Sequence, residues 1–111
     1  MTTINIKEST STAMANKAIN FIDFFGGDCI RSAWLNTSQK ANGLEQSKKW
    51  RLTLQCCSLS TGIDQFQIRI GKKDGVPLDD TDIILILDHA GFPSKSAQSL
   101  IHKDIHCLYK S

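Results

Sequence analysis

Long apolar runs are missing from this sequence. The longest compact one, residues 83–87, is five residues, far short of the ~20 a transmembrane helix requires. The N-terminal stretch Thr2-Thr3-Ile4-Asn5-Ile6-Lys7-Glu8 lacks a basic segment followed by an apolar one, which argues against a secretory signal. Charge of one sign is missing too. Thirteen Lys and Arg face eleven Asp and Glu, a net charge of +2, which excludes a polybasic nucleic-acid coat and an acidic solvating tail. Proline occurs only at Pro77 and Pro93, and neither an internal repeat nor a low-complexity linker is present. Valine is nearly absent, Val76 standing alone against 13 Ile and 10 Leu. Ile and Val are nearly equivalent in strands, so the skew carries no functional signal.

The spacings that announce familiar chemistry are also absent. There is no Cys-x-x-Cys pair and no His-Glu-x-x-His. The four cysteines, Cys29, Cys56, Cys57 and Cys107, are even in number. However, 111 residues are enough for one domain over 1–111 to fold without covalent staples. Reduced thiols in a cytoplasmic protein are the expectation.

What is present is a pattern. Hydrophobic residues make up 41% and charged residues 22% of the chain, the composition of an ordinary globular domain. Ile4 and Ile6 alternate with polar neighbours as in a short strand. Ser9 to Thr12 offer N-caps for a helix carrying Ala15, Ala18, Ile19, Ile22 and Phe25, with Phe21 and Phe24 widening its apolar stripe and Gly26-Gly27 ending it. Residues 28–39 fit a helix or a strand, and Asn42-Gly43 marks a loop.

The clearest element is a β-hairpin over residues 50–70. Trp50, Leu52, Leu54, Phe66, Ile68 and Ile70 face inward, and the turn falls at Ser58 to Gly62. Residues 83–87 read as a strand buried on both faces, a short helix capped by Asp79 or Asp80 being the alternative. Ser94 can cap a C-terminal helix lined by Ala97, Leu100, Ile101, Ile105 and Leu108 that frays toward Cys107 and Tyr109. The fold class is α+β: an antiparallel or mixed sheet including the 50–70 hairpin, with an N-terminal and a C-terminal helix packed on it.

Four constellations could carry chemistry. Pairing across the turn would set residues 49–51 against 70–72 and gather Lys48, Lys49, Arg51, Arg69, Lys72 and Lys73 at one end of the hairpin. Such a patch can meet phosphates or simply discourage edge-to-edge strand pairing, and Asp74, Asp79, Asp80 and Asp82 lie near enough in sequence to neutralise it. Ser94, Lys95 and Ser96 would put free amides, hydroxyls and an ammonium at a helix start, a recipe for anion binding that an ordinary capped helix shares. His102 and His106 at i, i+4, with Cys107 and either Cys29 or Cys56, could hold zinc, but the spacing alone assigns no metal and no cofactor. Asp80, Asp82, His89 and Lys95, or the neighbours Asp88 and His89, are the remaining candidates for an enzyme. Adjacent strand residues point to opposite faces, and no convergent set emerges.

The first functional reading is therefore a non-enzymatic interaction domain working through protein–protein contacts, with a second copy of itself as partner in a homodimer that covers the 83–87 run. Nucleic-acid or phosphate-ligand binding through the basic end of the hairpin is the second reading, and a phosphate-ester or metal-dependent enzyme the third.

Overall fold

The computed structural model describes residues 2–38, 48–57, 65–72, 74–102 and 105–110. The order of elements is β1 (Thr2–Ile6), α1 (Ser11–Phe25), a 3-10 turn (Gly27–Cys29), β2 (Ile30–Ser38), β3 (Lys48–Cys57), β4 (Gln65–Ile70), α2 (Asp80–His89), α3 (Ser94–Ile101) and β5 (Cys107–Tyr109). The strands form one five-stranded sheet in the order β1-β4-β3-β2-β5. β1 runs parallel to β4, and the other neighbours are antiparallel. This is the α+β architecture expected from the sequence. The Ser58–Gly62 turn and the Asn42-Gly43 loop lie outside the described residues.

The period-2 alternation of the strands decides which face is covered. Ile6, Ala33, Leu52, Leu54, Cys56, Ile68, Ile70 and Leu108 all point to one side and are buried. There they join Met14, Ala15, Ala18 and Ile22 of α1, Ile83, Ile86 and Leu87 of α2, and Ala97, Leu100 and Ile101 of α3 in one hydrophobic cluster. Leu52, Leu54, Ile68 and Ile70 of the hairpin thus face inward as expected, but its register is not the expected one. Leu52 pairs with Ile70 and Leu54 with Ile68, one residue away from the 51-against-70 pairing that the turn suggested. Phe66 and Trp50 are only half-buried.

Helix α1 is capped by Thr10, whose hydroxyl accepts from the Ala13 amide at 3.0 Å. It ends at Gly26, whose φ of 91° suits glycine far better than any L side chain. The broad Phe21–Phe25 surface is not swallowed by the core, because Phe24 is 82% exposed. A second positive-φ glycine, Gly71, closes β4. A Cβ built there would lie 2.6 Å from the Trp50 carbonyl oxygen, so only glycine lets the chain pass so near β3.

Residues 83–87 are not a strand. They belong to α2, and the pattern that a run of five apolar residues conceals is helical. Ile83, Ile86, Leu87 and Ala90 are fully buried at i, i+3, i+4 and i+7, whereas Leu85 is 42% exposed. Asp80 and Asp82 in the first turn complement the positive end of the helix dipole. The core side of the sheet and α1 take up the run, which removes the need for a second protomer to cover it. The C-terminal helix is shorter than expected, ending at Ile101. Leu108 reaches the core from β5 instead, paired with Ala33.

A buried polar junction joins the starts of α1 and α2. The Ser11 hydroxyl donates to Asp82 Oδ2 at 2.5 Å and accepts from the Asp79 amide at 2.9 Å. Leu78 is held next to it, its amide donating to the Lys49 carbonyl at 2.7 Å. Two outcomes follow. Ser11→Ala leaves Asp82 without its buried donor and should lower stability in urea denaturation by roughly 1–3 kcal/mol. Leu85→Lys should be tolerated while Ile86→Lys prevents folding; equal damage at the two positions would favour a strand buried on both sides over the helix.

Candidate binding face of the sheet

With the described helices all on one side, no other described element covers the opposite face of the sheet. Pairing sorts its residues into rows that run across the strands. One row is Tyr109, Ser32, Gln55, Gln67 and Thr3; the next is Cys107, Trp34, Thr53, Arg69 and Asn5; Asn36 and Arg51 begin a third. Every member of these rows is aromatic, cationic or a neutral hydrogen-bonding group, apart from the Cys107 thiol.

Trp34 and Tyr109 meet edge to face, with centroids 5.9 Å apart and planes at 84°. Trp34 is 38% and Tyr109 68% exposed. The indole N–H donates to Ser32 Oγ at 3.2 Å, which fixes the ring along β2. A hydrogen bond with the Cys107 thiol raises the Tyr109 phenol above its ordinary pKa. On the neighbouring strands, Arg69 Nε donates to Gln67 Oε1 at 3.2 Å. Arg51 Nε is buried with no hydrogen-bond partner among the described residues.

A β-bulge sorts the lysines of the hairpin. The register passes from Asn36↔Arg51 to Thr37↔Lys49 and Ser38↔Lys48, skipping Trp50. The extra residue turns Lys49 to the helix side, where its ammonium meets Asp80 at 2.9 Å. Lys48 returns to the uncovered side, with its ammonium 5.6 Å above the Trp50 ring. The six cations expected as one cluster are therefore divided. Arg51, Arg69 and Lys48 share the uncovered face, Lys49 is neutralised by Asp80, Lys72 is exposed after β4, and Lys73 lies outside the described residues. Ser94, Lys95 and Ser96 occupy the first turn of α3, on the other side of the sheet, and do not join them.

The proposed metal and acid–base sets do not assemble. No group of three or more His, Cys, Asp or Glu side chains converges among the described residues. His102 caps the end of α3, where it contacts Gln98 Oε1 at 3.2 Å, and His106 is past the helix. His89 meets Asp23 of α1 at 3.4 Å. Asp80 and Asp82 are engaged by Lys49 and Ser11. No helix among the described residues is long and apolar enough to cross a membrane. No family model matches the chain, and no curated protein or solved structure matches it either. Functional reasoning therefore rests on the chemistry of the faces.

On the core side, Cys29 and Cys56 are neighbouring buried thiols. Burial, with the other thiol adding to it, pushes Cys56 from an ordinary value near 9 up to about 12. Burial raises Cys29 in the same direction. The native state thus keeps Cys56 protonated at a pH where the unfolded chain has already lost that proton. Stability from this source is complete below about pH 9 and declines as pH rises toward 12. The melting temperature of the wild type should fall more steeply between about pH 9 and 11 than that of Cys56→Ala. Parallel curves would show that the thiol is not shifted.

Proposed function

We propose that the chain is a non-catalytic binding domain that works through the uncovered face of its sheet, and that its ligand there is anionic. One observation carries this reading. Lys48, Arg51 and Arg69 share that face and the described strands hold not one acidic residue, while Glu8, Asp23, Asp28, Asp74, Asp79, Asp80, Asp82 and Asp88 all belong to helices and connections. Segregation of this kind creates a local positive potential that a net charge of +2 does not reveal. Protection of sheet edges is not its explanation, because Arg51 and Arg69 sit on β3 and β4, which are interior strands, whereas the edges are β1 and β5.

Inorganic polyphosphate tests the reading. The wild type should bind it with an affinity that falls steeply with salt. Arg51→Gln and Arg69→Gln should each lower affinity and reduce the logarithmic salt slope by about one unit. Lys95→Gln, on the opposite side, should leave both unchanged. Failure of the wild type to bind at about 20 mM salt would sink the proposal.

A contact between copies of the chain is the second reading, and it no longer draws on residues 83–87. It rests on Phe24, which stands 82% exposed at a cavity of about 340 Å³ formed with Lys17, Asn20, Phe21 and Phe25. Sedimentation equilibrium at micromolar concentration decides it. A dimer that dissociates in Phe24→Ser supports the contact, and a 12.3 kDa species for the wild type removes it.

A further inference from the structure

We propose that the anion this face takes is single-stranded nucleic acid, with bases stacked on the Trp34–Tyr109 pair and phosphates met by Arg51 and Arg69. This rests on the anionic-ligand reading above and narrows it to one polymer. A polyanion as such needs only cations, yet the same face carries two aromatic rings that meet edge to face and remain 38% and 68% exposed. Nucleobases are the anionic-polymer component that has a flat π-face to place on such rings, and stacking of this kind is tolerant of sequence.

The arrangement of the two chemistries matches a strand crossing the sheet. Trp34 lies on β2, Arg51 on the adjacent β3 and Arg69 one strand further, on β4. Neighbouring strands are ~4.8 Å apart, so the arginines stand about 5 and 10 Å across the sheet from the line of the indole, with an offset along it for Arg51. Between them and around them lie Thr53, Gln55, Gln67, Asn36 and Asn5, hydroxyls and amides able both to donate to and to accept from exposed base edges. A duplex fits less well. Reading a duplex groove calls for a protruding helix or ribbon, whereas a sheet face with aromatic platforms suits bases that are already unstacked. The Trp34 indole N–H is committed to Ser32, so the ring contributes its face and not its donor. Tyr109, the more exposed ring, is the first platform.

The test compares ligands of equal charge. Full-length chain is titrated, at about 50 mM salt, into an end-labelled oligothymidylate or oligouridylate of about 12 nucleotides and into an abasic sugar–phosphate chain of the same length. The base-bearing strands should bind at least about tenfold more tightly than the abasic chain. Tyr109→Ala should erase most of that difference and leave binding of the abasic chain unchanged, whereas Tyr109→Phe retains the difference. Arg69→Gln should weaken both ligands by the same factor. Equal affinity for abasic and base-bearing chains, or for a duplex of equal length, overturns the inference. Either result leaves the anionic-ligand reading standing if polyphosphate still binds through Arg51 and Arg69. Absence of binding to every polyanion removes both.

Discussion

The physical constraint on which the structure depends is that the strands' large aliphatic side chains occupy one face of the sheet. Ile6, Leu52, Leu54, Ile68 and Ile70 fall on the same side because they alternate with Asn5, Arg51, Thr53, Gln67 and Arg69. Burying each such side chain is worth roughly 1.5–3 kcal/mol, which decides where apolar helices go. α1 crosses from β1 at one edge to β2 on the far side of the hairpin, and α2 and α3 lead from β4 to β5 at the other edge. All three are recruited to the apolar side. Among the described residues, the polar side is left open by the same pattern.

Much of this is legible in the residues because alternation and capping act locally. β1, the N-terminal helix, its glycine stop and the inward set of the hairpin can all be read from spacing. Residues 83–87 could not be, since a run of five apolar residues has the same appearance in either period. Only the contrast between buried Ile86 and exposed Leu85 settles it, and that contrast depends on what packs against them. The register of the hairpin was equally out of reach, because turn geometry fixes register and the length of a Ser/Gly-rich turn does not state its geometry.

The candidate site was harder to read than the fold, and the reason lies in two residues. Ser32, Trp34 and Asn36 alternate with Ala33 and Leu35, which is a strand signal, but counting Trp34 as a core residue obscures it. Tyr109 is expected in an extended tail beyond a fraying helix, and the structure makes that tail an edge strand in which it pairs with Ser32. Spacing alone does not place these two rings on the face that carries Arg51 and Arg69. The bulge at Trp50 was invisible for a different reason. It shows as an interruption of pairing with β2, a long-range property, and yet it determines which lysine faces Asp80 and which faces outward.

Stability and binding make opposite demands on the uncovered face. A fold optimised only for stability would give Arg51 Nε an acceptor, replace Tyr109 with a smaller polar residue, and place an acid opposite Arg69, where Thr53 and Asn5 now stand. Cross-strand opposite charges contribute only about 0.2–1 kcal/mol, but they are readily available to a chain whose described acids already find Lys17 and Lys49 elsewhere. The core side shows the other behaviour: buried Asp82 is met by Ser11, and the cation turned inward by the bulge is met by Asp80. Among the described residues, these two inward charges have partners, whereas Arg51 Nε on the opposite face has none. An unpartnered donor on β3 and exposed rings on β2 and on the edge strand β5 are what the proposed binding role asks of this face.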